Sequence, residues 1–383
     1  MEAVAIALVL SMFAAVPDPR ARNARHRLVD VLAIALLAVL SGSDDYPGIV
    51  AFGRDRAEFL GGLLALPHGI PSVSTFRRVF AAVDPTAMGE VLGRWSKELV
   101  KTCAGKQIAI DGKALRQSFE HAWDKMGMLH LVTAWCVEDG VCLAQSAVDE
   151  KSNEIVAVPK VLELLDIKGA VITVDALNTQ KSIAAQIVDA GGDYVMALKD
   201  NHPTLFDRVV RNVDDLILER FKDVPHTATD DTDGGHGRID RRQVHATDQI
   251  AWLTDEQRAE WAGLRSVAVV TATRKLDDGT AQRFRRYYLT SLPPDAKELG
   301  RLIRNHWGIE NGQHWCLDVG FREDQSRVRT DHGDENLAAV RRIALNLLKQ
   351  DKSVKLGIAN KRLKAARNVG YLFGVVTGTT KPK

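Results

Sequence analysis

Two aspartates follow apolar runs in this chain, in the segments IAIDGK and VITVDALN. A run of four or five apolar residues predicts a buried strand, so Asp111 and Asp175 are expected at strand ends. A third acid, Glu310, lies far downstream in a segment crowded with His, Trp and Arg, residues 304 to 327. Three carboxylates on rigid elements are what two divalent metal ions need to attack a phosphodiester. The three acids therefore predict metal-dependent phosphodiester chemistry.

Spacing alone leaves the identity of the third acid open. His306, Glu310 and His314 are each four residues apart, so on a helix they share one face, which also fits a zinc site. The HExxH motif is absent from the sequence, however, and a Glu flanked by histidines is more often part of a hydrogen-bonded surface triad. Other acids compete for the third position: Asp318, Glu323 and Asp324. If three carboxylates do cluster, they repel one another until cations neutralise them, and hard oxygen ligands favour two Mg²⁺ or Mn²⁺ ions over zinc.

The order of elements predicts the core that positions these acids. Residues 106 to 200 are patterned as strand, hairpin, helix, strand, helix, strand, which is typical of a ribonuclease-H-like α/β core with a mixed sheet flanked by helices. In that layout the first and fourth strands are neighbours, which brings Asp111 and Asp175 together. The catalytic domain is expected at 104–350, with a β-rich insertion at about 203–290 whose part PHTATDDTDGGHGRIDRRQVHAT resembles a loop.

The flanking regions are predicted to bind DNA. Residues 1–100 are helical by pattern, and residues 351–383 are expected to form a basic tail. The net charge of the whole chain is only +2, yet from Arg341 to Lys383 eleven Lys and Arg face one Asp, a local charge of +10. A basic end on an otherwise acidic protein favours a polyanionic partner, with a solvated helix end and tail as the alternative.

Individual DNA contacts are predicted from local patterns. In PSVSTFRRVFAAVD an apolar stripe leaves two arginines facing outward, as in a helix-turn-helix segment, although short helices with two arginines are common. Other basic residues that could contact DNA lie in four places: directly after the last core strand, in the segment GRIDRRQ, around Glu310, and in the basic C-terminal end. The candidate contacts are all Lys or Arg: Arg77, Arg78, Lys199, Arg238, Arg241, Arg242, Arg304, Arg322, Arg327, Lys361, Arg362 and Lys364.

Composition places the chain in an ordinary class. It has 383 residues, 45% hydrophobic and 26% charged, as expected of a globular protein with a large core. Its four cysteines show no paired metal spacing, which favours a reduced cytoplasmic protein. The apolar stretch from residue 3 to 16 lacks a basic n-region and is too short to span a bilayer, so a buried helix and no membrane partner are expected.

The motifs together resemble a known family almost from end to end. AIDGKALRQS, HLVTAW, VDALNTQ, GGDYVMALKDNHPTLF, GHGRIDRR, YYLTSL, RNHWGIENGQHW and LDVGFREDQSR occur in order, and PSVSTFRRVF precedes them. The chain resembles the DDE transposases of bacterial insertion sequences, in the ISAs-type branch with the H-repeat-associated proteins. The resemblance implies that Asp111, Asp175 and Glu310 hold two Mg²⁺ or Mn²⁺ ions. It also implies double-stranded DNA as partner, as terminal inverted repeats and target, a homodimer in the active complex, and nucleoid association in the cytoplasm.

The chain departs from the wider transposase group at two places. That group has basic residues at set offsets around its last acid, where this chain has His306 and Leu317, so those DNA-positioning roles do not transfer. Gln313 stands where branch members usually have an apolar residue. Two alternative functions therefore stay open beside the transposase: a plain nuclease on the same core, and a decayed or non-enzymatic DNA-binding relic.

Overall fold

The computed structural model describes residues 10–118, 128–148, 154–235, 238–275 and 280–379. They fall into two compact units: unit 1 comprises 1–102, 112–153 and 310–383, and unit 2 comprises 103–111 and 154–309. These units cut across the predicted domain boundaries, because the C-terminal residues belong with the N-terminal helices rather than with the strands of the core.

The main helices, in chain order, are α1 (Leu28–Leu40), α2 (Tyr46–Asp55), α3 (Ala57–Gly61), α4 (Val73–Ala82), α5 (Pro85–Leu99), α6 (Glu154–Glu163), α7 (Lys181–Asp189), α8 (Pro203–Leu218), α9 (Asp255–Ala259), α10 (Ala296–His306), α11 (Gly333–Gln350), α12 (Ile358–Arg367) and α13 (Val369–Thr377). The strands are β1 (Gln107–Ala114), β2 (His130–Cys136), β3 (Val141–Ala147), β4 (Val171–Val174), β5 (Asp193–Leu198), β6 (Thr227–Gly235), β7 (Arg238–Thr247), β8 (Ser266–Lys275) and β9 (Ala281–Thr290).

Unit 1 is built around α11, which packs against α1, α4, α5 and β3. The predicted apolar stripe of α4 is confirmed: Phe76, Val79 and Phe80 are buried, and the Ser72 hydroxyl caps the helix by accepting from the Thr75 N–H. Helix α11 is buried nearly all round, including Arg341 and Arg342. The hairpin β2–β3 also has the predicted antiparallel pairing.

The C-terminal segment corrects a prediction. It is not a loose basic tail over residues 358–377, because α12 and α13 pack in unit 1 with Ala365, Leu372 and Val375 buried. A charge beside these helices is used internally: the carboxylate of Asp351, which follows α11, accepts a 2.6 Å hydrogen bond from the Tyr371 hydroxyl on α13. The periodic apolar residues of this stretch indicate two packed helices, but the eleven basic residues between 341 and 383 obscured that pattern.

Unit 2 holds the predicted ribonuclease-H-like strands. Its strand order is β1-β4-β5-β9-β8-β7-β6, with β1, β4 and β5 parallel and the others antiparallel. Short continuous apolar strands are typical of a parallel sheet covered on both faces. On one face α10 packs through Leu299, Leu302 and Ile303 onto Val195 and Val244. The α/β prediction is therefore confirmed, and β1 continues past Asp111 into unit 1.

The segment expected to be a loop in the insertion is instead the hairpin β6–β7, and this prediction was wrong. Acidic β6 pairs with basic β7: Asp231 lies opposite Arg242, and the Arg241 Nε donates to the Asp230 carboxylate at 2.8 Å. Opposite charges across a strand pair stabilise it, and they compensate for the low β-propensity of Asp. Through β9 the insertion extends the core sheet, since β9 pairs with β5.

No described helix combines the length and the apolarity needed to cross a bilayer.

Candidate active site

Asp111 and Asp175 lie side by side in unit 2. Only Asp175 follows the end of its strand, because β1 continues to Ala114, so the expectation that Asp111 ends a strand was wrong. Strands β1 and β4 are parallel, with Ile110 paired to Val174, so Asp111 and Asp175 are the next residues on neighbouring strands. Adjacent strands are about 4.8 Å apart, and residues at equal register share a face of the sheet. Both carboxylates therefore lie next to each other beside the carboxyl end of β4. Two such charges repel one another, and a bound cation would relieve that repulsion.

Asp175 is held by the loop that follows it. Asn178 is fully buried, and both its backbone N–H and its side-chain amide donate to Asp175 Oδ1 at 3.0 Å. The Thr179 hydroxyl then donates to the carbonyls of Asp175 and Ala197, tying the loop to β5. The N-cap of α7 is Gln180, so Asn178 does not cap that helix. Its side chain instead fixes the orientation of the Asp175 carboxylate.

We expect Asn178→Ala to lower the rate of DNA cleavage by about 10- to 100-fold, the usual cost of losing a hydrogen bond to a metal-binding carboxylate. Much of the loss should be recovered by raising the Mg²⁺ concentration, because the substitution loosens a ligand without removing it. Gln180→Ala is the matched control, since Gln180 donates only to the Leu177 carbonyl in the same loop. Cleavage rates measured across a Mg²⁺ series would refute the positioning role if both variants behaved alike.

Two further residues of unit 2 lie near the carboxyl end of β4. His306, at the end of α10, shares a 3.0 Å hydrogen bond between its Nδ1 and the Thr173 hydroxyl on β4. Burial lowers the pKa of His306, although the Asp175 charge acts in the opposite direction. Lys199 is exposed directly after β5, at the carboxyl end of the strand that pairs with β4. Its predicted phosphate contact is sterically open and stays a prediction.

Glu310 belongs to unit 1 and begins a π-helical turn, Glu310–His314. Its side chain is exposed, and among the described residues its carboxylate takes part in neither a hydrogen bond nor an ion pair. Three residues later Gln313 is fully buried and donates weakly to the Cys142 thiol. Single π-helical turns are rare and are frequent at functional sites, because they shift side chains out of α-helical register. The sequence did not signal this turn.

The competing acids of unit 1 are already paired with cations. The buried Lys113 ammonium donates to Asp318 at 2.6 Å and to Asp324 at 2.9 Å. Glu323 is fully buried against Arg342, with Nη1 to Oε1 at 3.0 Å. Burial raises the pKa of Asp318 even though Lys113 lowers it. A metal ion would have to displace these cations, so Glu310 is the better candidate for a ligand.

The zinc interpretation finds little support. Burial, followed by the charges of Arg342 and Lys113, lowers the pKa of His314 to about 4. Because Arg342 and Lys113 already place two positive charges near His314, binding of a zinc ion by His314 would be unfavourable. Across the described ranges, no group of three or more His, Cys, Asp and Glu side chains has the geometry to hold a metal ion. A third ligand beside Asp111 and Asp175 therefore has to be established by experiment.

The predicted DNA contacts occupy different environments. Arg77, Arg78, Arg322 and Arg327 are exposed in unit 1, and Arg242 is half-buried in unit 2. Two others have acidic partners, since Arg241 pairs with Asp230 and Arg304 pairs with Asp233 at 2.7 Å. Arg238 opens β7, and its side chain lies outside the described part of the chain. DNA contact by all these residues remains a prediction.

Two basic residues of the C-terminal segment need correction as DNA contacts. Lys361 is buried and donates to the carbonyl of Leu348 at 2.8 Å. Arg362 is buried as well, lies over the Phe321 ring, and pairs with Asp44 at 2.8 Å. Because burying an arginine or lysine is costly unless it is fully paired, these side chains hold the helices together and do not face solvent. Lys364, half-buried over a tyrosine ring, has more freedom.

Comparison with known proteins gives a consistent assignment. A family model described as "Transposase DDE domain" matches residues 104–347, and one described as "DDE_Tnp_1-associated" matches residues 10–96. The chain is 35% identical to "Putative transposase YncI" of Escherichia coli O157:H7, covering 99% of this chain and 96% of that protein. It is 33% identical to "H repeat-associated putative transposase YhhI" of Escherichia coli strain K12, covering 95% and 96%.

A more distant likeness is to a cryo-EM structure of the piggyBac transposase synaptic complex with hairpin DNA. The TM-score is 0.43 and the sequence identity is 13%, covering 98% of this chain and 80% of that one. This likeness is too low to carry a conclusion about the site.

The family match defines a DNA-processing enzyme, and the chain belongs to the DDE transposases, in the branch of the H-repeat-associated proteins. It is a DNA transposase of an insertion element, an enzyme that cuts DNA and transfers strands in a metal-dependent reaction. The prediction of the family from its motifs is confirmed.

Proposed function

We propose that Asp111, Asp175 and Glu310 together hold two Mg²⁺ or Mn²⁺ ions, at which the ends of a mobile element are cut and joined to target DNA. The observation that carries the proposal is the in-register pairing of β1 with β4, which makes Asp111 and Asp175 neighbours on adjacent strands. These are hard oxygen donors, and they suit Mg²⁺ or Mn²⁺. Glu310 is supported as third ligand by its exposed carboxylate and by the cations that occupy its competitors.

Each residue has a defined part in this proposal. Bound divalent ions supply activation of the attacking hydroxyl and stabilisation of the leaving oxygen. Asp111 and Asp175 would present carboxylate oxygens to the metal ions. Asn178 donates two hydrogen bonds to Asp175 Oδ1, which would leave Oδ2 for a metal ion. Lys199, exposed after the end of β5, is the candidate contact to a DNA phosphate in this proposal.

The DNA substrates and the assembly follow from the same proposal. The element's terminal inverted repeats and a target duplex are the partners, and a homodimer brings two ends together. The protein then works in the cytoplasm, associated with the nucleoid while it is bound to DNA. Sequencing the DNA that flanks the gene for short inverted repeats would identify the ends to use in an assay.

An assay of paired ends separates the transposase from its alternatives. Purified protein is incubated with DNA carrying both repeats and with a plasmid target. Joined products dependent on both repeats support the proposal. Cleavage without joining would instead indicate a plain nuclease, and binding without cleavage in wild-type protein would indicate a relic.

Metal substitution provides a second prediction. Cleavage should occur with Mg²⁺ or Mn²⁺, whereas Ca²⁺, with longer bonds and looser geometry, should allow DNA binding without turnover. Strand cleavage and gel-shift binding are measured in parallel after removal of bound metals. Activity that depends on zinc and ignores added Mg²⁺ would support the site of His306, Glu310 and His314 instead.

A further inference from the structure

A large cavity opens in unit 1, and neither Asp111 nor Asp175 contributes to its lining. Its volume is about 820 Å³, and four arginines contribute to its wall: Arg77, Arg322, Arg327 and Arg329. We call this cavity the arginine cleft. Arg77 comes from α4, and the other three come from the segment that follows the π-helical turns. Only Arg77, Arg322 and Arg327 were anticipated from sequence, in separate local patterns.

The acids that line the arginine cleft do not neutralise it. Asp44 is paired with the buried Arg362 at 2.8 Å, and Asp45 caps α2 by accepting from the Gly48 N–H at 2.8 Å. By contrast, the guanidinium groups of Arg77 and Arg327 make neither a hydrogen bond nor an ion pair with any described residue. Four arginines therefore face two aspartates in the wall, and Asp44 is already paired with an arginine outside it, which leaves the cleft with net positive charge.

Polar groups in the wall also lack partners. Tyr46 is only 5% exposed, lines the cleft, and has a hydroxyl without a hydrogen-bond partner among the described residues. The Ser326 hydroxyl, in the same wall, is also buried without a hydrogen-bond partner among the described residues. A buried hydroxyl left unpaired is costly, so native structures usually pair it with protein, water or ligand. Both oxygens lie beneath the surface of the wall, so the charge of the cleft comes from its arginines and not from these hydroxyls.

The backbone of Arg322, in the same wall, is strained. Arg322 adopts a left-handed backbone conformation, with φ of 51°. Residues other than glycine rarely adopt this conformation. The Arg322 Nε then donates to the Gln325 side chain at 2.8 Å, which fixes its guanidinium on the cleft wall. Strain of this kind persists where the surrounding structure imposes it, often at ligand sites.

We propose that the arginine cleft binds the sugar–phosphate backbone of DNA, gripping several consecutive phosphates independently of sequence. This inference rests on the proposed function, since it assumes that DNA is the substrate, but it concerns a site separate from the metal ligands. Guanidinium forks suit phosphate oxygens, and four of them line the cleft. The cleft is far larger than one phosphate group, which favours a chain of them over a free anion.

The test measures binding of a random-sequence duplex by fluorescence anisotropy, at several salt concentrations and with metals chelated so that no cleavage occurs. Each phosphate contact contributes about -0.9 to the slope of log K against log salt. Arg77→Gln with Arg327→Gln should therefore flatten the slope by about 1.8. Arg54→Gln is the matched control, because Arg54 is exposed in α2 but does not line the cleft.

A second variant tests the hydroxyl. Tyr46→Phe removes an atom without a described partner, so the fold should survive, which a thermal melt can verify. Its affinity for the duplex should stay close to the wild-type value, because the hydroxyl is buried beneath the wall and a phosphate in the cleft does not contact it. The salt slope should not change, because no charge is removed.

An unchanged slope in the double arginine variant would overturn the cleft as a DNA site. So would displacement of the duplex by inorganic phosphate at constant ionic strength, which would indicate a small-anion site. A loss caused by Arg78→Gln alone would favour the outer face of α4 and overturn the cleft. These outcomes are independent of cleavage: a protein that binds DNA through the cleft but never cuts it would contradict the proposed function only.

Discussion

Replacing any one of Asp111, Asp175 and Glu310 by its amide should abolish DNA cleavage while DNA binding is retained. An amide keeps the shape of the side chain but loses the charge that a divalent ion requires. We expect a fall of at least about 1,000-fold in rate, which corresponds to about 4 kcal/mol of transition-state stabilisation. Single-turnover cleavage and gel-shift binding of the same DNA measure the two properties separately.

The control for this series is Asp189→Asn, which removes an exposed acid of α7 in unit 2. It should cut DNA at the wild-type rate. The assignment of Glu310 fails if Glu310→Gln still cuts at close to that rate, and loss of cleavage in Asp318→Asn with intact folding would transfer the role downstream.

Glu323→Gln should damage stability rather than chemistry. The side chains of Glu323 and Arg342 are both fully buried and joined at 3.0 Å, and Lys113 lies 3.9 Å from the same carboxylate. Removing the negative charge leaves buried cations without a partner, which typically costs about 3–5 kcal/mol. Urea unfolding should show this loss in the free energy of unfolding, whereas Glu58→Gln, an exposed acid of α3, should change it little.

A double variant sharpens the stability test. Glu323→Leu with Arg342→Met replaces the pair by apolar groups, and such replacements are often close to neutral. The double variant should therefore be more stable than Glu323→Gln alone. Equal losses in the single and double variants would mean that packing, and not unpaired charge, controls the effect.

The buried pair also predicts an acid dependence. Burial raises the pKa of Glu323, but the charges of Arg342, Arg341 and Lys113 outweigh it and hold the pKa below its ordinary value. The contribution of this carboxylate is therefore complete above the unfolded pKa of about 4.3 and is lost as the pH falls through the lower folded pKa. Wild-type protein should lose more free energy of unfolding below about pH 4 than Glu323→Gln does.

The pairing of Asp111 with Asp175 could be predicted because the signal is local, although β1 continues past Asp111. Buried parallel strands are short, continuous apolar runs, and Asp111 and Asp175 are the first charged residues after them. Pairing of those two strands then follows from the order of elements alone. The register of Ile110 with Val174 agrees with that expectation.

The choice among the later acids could not be predicted because it depends on distant partners. Asp318 and Asp324 are paired with Lys113, about two hundred residues earlier, and nothing in their local sequence reveals it. A lysine within the largely buried strand QIAIDGKA was the available signal. The arginine cleft was missed for the same reason, since its arginines are brought together only by folding.

The basic end shows the opposite error, in which composition outweighed pattern. Eleven Lys and Arg suggested a basic tail that contacts a polyanion, yet Lys361 and Arg362 bind backbone carbonyls of unit 1. Charged side chains with long apolar stems can be buried when their heads are paired. Only the tertiary structure supplies those carbonyls.

Metal rescue tests the central claim most directly. Glu310→Cys replaces a hard oxygen by sulfur, which binds Mg²⁺ poorly and accepts softer transition metals more readily. If Glu310 is a metal ligand, this variant should lose DNA cleavage in Mg²⁺ and regain a measurable part of it in Mn²⁺, while the wild type works in both. Equal loss in the two metals, or full activity in Mg²⁺, would contradict the assignment of Glu310 as the third metal ligand.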